Sequence, residues 1–537
     1  MKKNIIKRDD NITSVEEYVK RNLGNCNEDV DIQGYEYPNM RKAVDMFLYA
    51  LRNGKKIVVY GDYDADGICS LTEFVIASRV LQHQIDVIAP DRFGDGYGLT
   101  VDRAKSFIGK YDLLITVDNG ITAVDAIKVA RDGGLRVVVL DHHEQSGELP
   151  NANIIVDPHV TGGDKDTGFE DLCGAGLTLR FLEKVLREIK SLRPERFTST
   201  LNQLYAVAAI GTIADVVTLR HDNRAIVKIG LKCLNEGLAP AGVKAFLEKV
   251  LNGKEVDTES IGFSIAPCIN AAGRLKENGA SLILDIFTTP NVFLGGTYAK
   301  IDEAIELNEQ RKTIVKDEVD RAVGLLQVRK TDKIVIYINK LGMPGIMGLV
   351  AGKLAEKFKR PALALCGDEE LKGSGRTYGN ADIFAALSEA KEYMISFGGH
   401  PEACGLSFKR ADVESVRKIL NENLPEVVNE DEVYYDLELT DPITEYNELQ
   451  QYAPFGCGNP APKFYVMAKV DSLFKMGKNK EHLSITITVN EQQLKVMSFF
   501  HEGKAPWPGK VIEVVGDLSK EVYNGKETPK LIADVII

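Results

Sequence analysis

Between residues 56 and 160 the apolar positions fall in short, nearly unbroken runs: KKIVVY, DLLITV, RVVVL and NIIV. Segments of helical period, such as LTEFVIASRVLQ and TAVDAIKVARDGG, lie between them. Continuous β-branched strands alternating with helices are what a parallel sheet covered on both faces requires, so this region is predicted to be α/β. Helical periodicity then dominates to about residue 330. The stretch 294–328 is charged throughout, with neither Gly-Pro punctuation nor a cap, and predicts one long connecting helix. KIVIYIN and PALALC predict strands of a second, smaller α/β unit. There Pro344 opens a helix with Ile346, Leu349, Val350, Leu354 and Phe358 on one face. From about 461 the period becomes two, as in HLSITITVN, KVIEVVGDL and KLIADVII, and YNGKE supplies an Asn-Gly hairpin turn. Such a tail predicts a small β-barrel of the oligonucleotide-binding (OB) type. The expected divisions are an N-terminal extension (1–37), an α/β domain with a helical extension (38–293), the connecting helix (294–328), a second α/β domain (329–425) and the barrel (426–537).

Composition narrows the class without deciding it. With 66 basic against 78 acidic residues the net charge is −12, which argues against a protein that coats nucleic acid nonspecifically. A strand held in a local basic groove remains compatible with it. Cys26, Cys69, Cys173, Cys233, Cys268, Cys366, Cys404 and Cys457 are scattered singly, so they read as small buried residues rather than a zinc ribbon or a disulfide framework. No apolar run approaches the ~18–20 residues of a membrane span, and MKKNIIKRDDN has no secretory h-region. The expectation is a cytoplasmic protein with no membrane contact.

Candidate chemistry lies where the strands of the first sheet end. IVVY is followed by Gly61-Asp62-Tyr63-Asp64-Ala65-Asp66-Gly67, and LLITV by Asp118-Asn119-Gly120. VVVL is followed by Asp141-His142-His143, and NIIV by Asp157-Pro158-His159. In an open parallel sheet the carboxyl ends share one edge, where ligands bind. Any single Asp there is more often a helix cap or an Asx turn. D-x-D, D-N-G and D-H-H at successive strand ends are much harder to explain by capping. Carboxylates gathered in one crevice repel unless cations neutralise them. Asp215, the only charge in AVAAIGTIADVVTL, also calls for a cationic partner, either a metal or an arginine such as Arg220 or Arg224. Oxygen ligands with one or two imidazoles suit Mn²⁺ or Mg²⁺. Two such ions are the tools of phosphoester hydrolysis.

These motifs resemble the DHH phosphoesterase superfamily and, within it, the RecJ branch of single-strand-specific 5′→3′ DNA exonucleases. From about residue 38 onward VVYGDYDADG, PDRFGDGYGL, ITVDNG, VVLDHHE, DLCGAGLTLRF, AAIGTIADVV, INAAGRL, GSGR, FGGHPEACGLS and APFGCGNPAPKF follow in order. The resemblance implies a DHH domain, a DHHA1 domain and an OB-like barrel, with two divalent cations as cofactors. It implies one metal site of Asp66, Asp118, His142 and Asp215, and a second of Asp64 and Asp62 with Asp118 bridging. Smaller superfamily members carry a His where this chain has Tyr60, and Asp62 would take its place. By the same resemblance Asp141 orients His142, His143 contacts or protonates the scissile phosphate, Arg274 grips a phosphate, and Asp157 is a turn residue. Ser374, Gly375 and Arg376 in GSGR, and Gly398, Gly399 and His400 in GGH, would hold the strand through Gly-rich turns with free N–H groups.

Lys475, Lys478 and Lys480 beside Phe474 suggest a basic loop on a single-strand path, although a solvated lysine loop is as good a description. Two departures from the family pattern stand out: Gly342-Met343 replaces a common Trp-His before Pro344, and the segment before the first strand is short and atypical. The latter would suit a protein loaded by a partner or encoded by a mobile element. Expected partners are single-stranded DNA, a single-strand-binding protein and a helicase, in recombination and repair. The competing readings are a phosphodiesterase for short oligonucleotides or cyclic dinucleotides, and a non-catalytic replication scaffold.

Overall fold

The computed structural model describes residues 4–23, 37–92, 94, 98–145, 147–161, 172–293, 295–329, 331–426, 432–477, 480–501, 504–523 and 526–537. The expected Asn524-Gly525 turn, Lys478 and part of PDRFGDGYGL lie outside the described residues. The chain divides into two compact units. One holds Met1–Pro267, Ala280–Tyr298 and Glu430–Ile537, and the other Cys268–Gly279 and Ala299–Asn429.

The first unit begins with a short strand, β1 (Asn4–Lys7), and a helix, α1 (Val15–Leu23). The predicted α/β sheet follows as β2 (Ile57–Tyr60), β3 (Ile85–Ile88), β4 (Leu113–Val117), β5 (Arg136–Leu140) and β6 (Ile154–Val156). All are parallel, in the order β3-β2-β4-β5-β6. Strands β2 and β4 are wholly buried, which is why their sequences are unbroken apolar runs. The chain goes from β2 outward to β3 and returns past β2 to β4, so the strand order reverses at β2/β4. A crevice at such a switch point is where open α/β sheets bind ligands. Helices α2 (Ala65–Leu81), α3 (Gly174–Arg187), α4 (Pro194–Ala214) and α5 (Ala241–Leu251) complete the part that positions the site.

The second unit is built on α6 (Ala266–Leu275), α7 (Thr297–Leu325) and α8 (Pro344–Phe358). Helix α7 is the long charged helix expected from sequence; Ala322 of α7 packs with α8 and the sheet behind it. That sheet comprises β7 (Val335–Asn339), β8 (Ala362–Cys366), β9 (Glu370–Arg376), β10 (Met394–His400) and β11 (Ala403–Lys409), in the order β10-β11-β9-β8-β7. Only β7 and β8 are parallel.

The tail is a barrel, as expected. After β12 (Glu432–Tyr435) and β13 (Leu437–Glu438) come β14 (Lys463–Met476), β15 (His482–Val489), β16 (Gln492–Ser498), β17 (Val511–Tyr523) and β18 (Lys526–Ile536). The ring β14-β15-β16-β18-β17 closes through the β14–β17 ladder. Strand β14 is long enough to serve two neighbours, pairing with β17 over its first half and with β15 over its second.

The N-terminal segment is not a separate extension. Strand β1 pairs in parallel with β12, and Ile12, Val15, Tyr18 and Val19 enter the barrel's core beside Phe464 and Ile485. Arg8 binds Asp436 through both carboxylate oxygens. Six of the described cysteines are buried as expected, whereas Cys457 is exposed. No helix among the described residues is long and apolar enough to cross a membrane.

Candidate metal centre

Three strand ends and one helix end bring the predicted carboxylates together. After β2 the chain turns sharply so that Asp64 becomes the N-cap of α2, accepting the N–H groups of Asp66 and Gly67 at 3.1 Å each. The turn needs glycine at 67, where a Cβ would sit 2.5 Å from the Asp62 nitrogen. After β4, Asp118 adopts φ 57°, a left-handed conformation rare for a side-chain-bearing residue. Its amide donates to Leu140 O at 3.0 Å, so the residue is held in place from the next strand. The Asn119 amide spans β2 and β4, donating to Tyr60 O at 3.3 Å and Val117 O at 2.8 Å.

Asp66 is the best anchored. Its two oxygens accept Gly174 N–H at 2.7 Å and Ala175 N–H at 2.9 Å, at the start of α3. A helix N-terminus favours an anion there. In the sequence the GAG of DLCGAGLTLRF is only a family motif, and its position at the start of an apolar helix is the available signal. Close approach also explains the glycine, since a Cβ on Gly174 would lie 2.5 Å from that of Asp118. Asp215 is the C-cap of α4, with Oδ2 at 3.7 Å from His142 Nε2.

His142 is the common point. Its Nε2 lies 3.2 Å from Asp118 Oδ1 and 3.7 Å from Asp66 Oδ2. Three sets of side chains have ligand atoms within 4.8 Å of one another: Asp62, Asp64 and Asp118; Asp66, His142 and Asp215; and Asp118, His142 and His143. Asp118 and His142 each occur in two sets. Asp62 Oδ1 and Asp118 Oδ2 are buried with no hydrogen-bond partner. An orphaned buried carboxylate oxygen is costly, and cations are what this donor set lacks. Burial, reinforced by neighbouring carboxylates, pushes Asp62, Asp118 and Asp215 well above the usual carboxylate pKa. The same causes raise Asp66 to about 6. Hard oxygen donors with imidazole fit Mn²⁺ or Mg²⁺.

Asp141, expected to orient His142, has the His143 ring against it. Its Oδ1 receives the His143 ring at Nδ1 (2.8 Å) and the backbone N–H of His142, also at 2.8 Å. The reason is local: the chain leaves β5 so that both following amides turn back onto this carboxylate, and the ring two residues on comes within reach. Oδ2 accepts Ile121 N–H at 2.8 Å. Burial alone would raise the Asp141 pKa and lower that of His143. Their hydrogen bond and opposite charges outweigh it, leaving Asp141 at about 2 and His143 at about 10. Asp157 is the expected turn residue, accepting His159 N–H at 2.9 Å. Tyr60 packs against Phe107 and is buried in the sheet. Neither alternative arginine pairs with Asp215. Arg220 reaches the Gly458 carbonyl, and Arg224 those of Tyr452, Ala453 and Pro454.

The remaining predicted residues lie in the second unit. Arg274 donates to Gly345 O at 3.0 Å, at the start of α8. A Cβ on Gly348 would meet Arg376 Nη2 at 2.9 Å and Ser374 Oγ at 3.3 Å. The glycines of α8 thus leave room for these side chains. GSGR and GGH are not turns. Gly373–Arg376 form the end of β9, laddered to β8 and β11 on its two sides, and Gly398–His400 end β10, paired with β11. Gly373 and Gly399 serve strand packing: a Cβ at 373 would sit 2.0 Å from Ala364 O, and at 399, 2.3 Å from Ala403 O. Free N–H nests are therefore absent from β9, and Ser374 and Arg376 can bind only through side chains, whereas β10, with His400, is an edge strand paired on one side. Lys475 likewise belongs to β14, where it pairs with Leu483. Successive strand residues face opposite sides, so it does not share a face with exposed Phe474.

The chain matches three domain families: "DHH family, N-terminal domain" over residues 56–212, "DHHA1 domain" over 330–426 and "RecJ OB domain" over 438–534. It is 31% identical to the single-stranded-DNA-specific exonuclease RecJ of Thermus thermophilus, over 90% of this chain and 69% of that protein. This chain belongs to the RecJ family. The RecJ of Bacillus subtilis is 34% identical, over 93% of this chain and 63% of its own length. This chain thus spans a little under two thirds of that relative. A crystal structure of T. thermophilus RecJ in complex with Mn²⁺ superposes with a TM-score of 0.79 at 27% identity, covering 94% of this chain and 72% of that one. The family and fold expected from the motifs are those found.

Proposed function

We propose that this RecJ-family chain is a metal-dependent exonuclease that hydrolyses single-stranded DNA from its 5′ end and releases 5′-mononucleotides. The observation that carries this reading is the convergence of Asp62, Asp64, Asp66, Asp118, His142 and Asp215 with two orphaned buried oxygens among them. Asp66, Asp118, His142 and Asp215 would hold one cation, and Asp62, Asp64 and Asp118 the other, with Asp118 shared. When bound, such a pair supplies an activated water and stabilises the attacking and leaving oxygens of an in-line displacement.

The protein's own part is positioning. Gly174 N–H and Ala175 N–H fix both oxygens of Asp66, and the Leu140 carbonyl fixes the backbone of Asp118. Asp141 orients the His143 imidazole and holds a proton on Nδ1, giving a cationic group to grip the scissile phosphate or protonate its leaving oxygen. Arg274, Ser374, Arg376, Gly398 and His400 are the proposed substrate contacts, and Gly375 and Gly399 keep the strands beneath them close.

The barrel supports a polynucleotide over a dinucleotide substrate, and the complete ligand set argues against a scaffold. Action in the cytoplasm, in recombination and repair beside a single-strand-binding protein and a helicase, completes the reading. Its test compares 5′-labelled and 3′-labelled single strands with Mn²⁺, next to a blunt duplex and Asp66→Ala. Early release of labelled mononucleotide from the 5′-labelled strand alone, abolished by the substitution, is expected. Equal digestion of the duplex would defeat it.

A further inference from the structure

A cavity of about 390 Å³ lies at the end of α2 and α4 remote from the carboxylates, walled by Arg79, Arg196 and Lys244 and by the start of α5. On α2 it is 13 residues beyond Asp66, roughly 20 Å along the helix axis, so it is separate from the metal centre. No carboxylate lines it among the described residues. Arg79 donates to Thr288 O, and Arg196 donates to Arg79 O at 3.3 Å; both guanidiniums thus meet carbonyls rather than acids. Desolvation alone moves the Arg79 pKa, downward, with no acid to oppose it. Three unneutralised cations in one concave site are unusual in a chain of net charge −12.

The rest of the lining fits the same ligand. Ser199 offers a hydroxyl, while Ile76 and Pro240 give an apolar wall. Helix α5 starts at the cavity with Pro240 as N-cap, and no side chain caps its first N–H groups. The volume of about 390 Å³ falls within the range of small-molecule sites.

We propose that this cavity is a second, non-catalytic site that binds a free nucleoside polyphosphate. Arg79, Arg196 and Lys244 hold its phosphates, as cationic forks and ammonium groups do elsewhere, and the apolar wall receives the base. The site lies outside the proposed metal ligands and does not depend on them.

The test is calorimetric titration of dATP into the full chain in EDTA, which removes metal-centre binding. Lys244→Gln and Arg196→Gln alter exposed side chains with few bonds, and Lys128→Gln on another surface is the control. Saturable binding is expected, weakened at least about tenfold by each of the first two substitutions and unchanged by the control, a loss of ~1.4 kcal/mol apiece. Pyrophosphate is expected to compete. No binding at millimolar dATP, or equal affinity in all variants, would overturn the proposal. So would variants that weaken oligo-dT binding but leave dATP untouched, because the cavity would then serve the DNA strand.

Discussion

Asp141 Oδ1 stands 2.8 Å from His143 Nδ1, while Asp141 Oδ2 is held at the same distance by the backbone N–H of Ile121. One buried carboxylate therefore fixes an imidazole on one side and the D-N-G loop on the other. The second His of D-H-H is oriented by the Asp of the same motif, and the first is left to face the metal cluster. The His143 ring meets Asp141 and the His142 ring meets Asp118, so the two adjacent imidazoles sit in different surroundings.

Replacing that carboxylate separates its charge from its shape. Asp141→Asn keeps an acceptor for Ile121 but removes the negative charge that holds His143 at about 10. The His143 pKa should fall to its ordinary value of about 6.5 or lower. The cationic form is then lost as pH rises through that range. Relative to the parent, the variant should lose little activity at pH 6 and roughly 30-fold or more at pH 8, with Mn²⁺ stoichiometry retained. A loss equal at both pH values would show that Asp141 acts only structurally.

The metal-free protein should become less stable as pH rises. Asp66 titrates at about 6 when folded, and Asp62, Asp118 and Asp215 are also raised above their unfolded values. The folded state therefore binds more protons than the unfolded one, and stability falls from about pH 4 upward through the folded pKa values. Calorimetry in EDTA should show Tm decreasing between pH 5 and 8. With Mn²⁺ present that decrease should shrink or vanish, so the metal-induced rise in Tm should grow with pH. A metal-induced rise independent of pH would contradict the assignment.

How much of this was readable in the sequence depends on the range over which each feature is specified. Strands β2, β4 and β5 announce themselves because burial on both faces demands unbroken apolar runs, and the acids after them follow from the shared edge of a parallel sheet. The turns expected at GSGR and GGH failed for a converse reason. Glycine there relieves close strand packing, as at Gly373 against Ala364 O, and glycine content alone does not distinguish a nest from a crowded ladder. The placement of α1 was invisible: β1 meets β12 more than 400 residues later, and no local pattern encodes such a pairing. The Asp66 anchor was half visible, since GAG marks a helix start but not what that start receives.

That long-range pairing can be tested through Arg8. Asp436 is buried and receives two bonds from Arg8 as well as Lys463 N–H at 2.8 Å. Arg8→Ala leaves the carboxylate only partly paired, at a cost of about 1–3 kcal/mol. Asp436→Asn with Arg8→Ala should recover part of it. Urea denaturation of the full chain should resolve both changes, and no destabilisation by Arg8→Ala would mean that β1 adds nothing to the barrel's stability.

Gly174 tests how tightly the ligands are packed. An added methyl would lie 2.5 Å from the Asp118 Cβ, whereas Gly262 has nothing within 4 Å of its ideal Cβ. Gly174→Ala should cost roughly 1–3 kcal/mol through overpacking and weaken Mn²⁺ binding at least about tenfold, because α3 cannot then approach both Asp66 and Asp118. Gly262→Ala should leave Mn²⁺ affinity unchanged. Titration calorimetry distinguishes them, and parent-like affinity in Gly174→Ala would show that α3 can retreat without moving the carboxylates.

The segment after Asp215 meets the loop that leads into β14 of the barrel. Leu219 N–H donates to Cys457 O at 2.8 Å, Arg220 to Gly458 O at 2.7 Å, and buried Arg224 to three successive carbonyls from Tyr452 to Pro454. These carbonyls belong to or adjoin APFGCGNP, so the motif works as a socket for residues that follow Asp215, a proposed metal ligand. Lysine cannot reproduce the fork, and both Arg224→Ala and Arg224→Lys should lower stability by about 2–4 kcal/mol. If the socket also fixes Asp215, Mn²⁺ affinity should fall in both variants at a temperature where each is still folded. A drop in Tm with unchanged Mn²⁺ affinity would confine Arg224 to holding the barrel, and Asp215 would then owe its position to α4 alone.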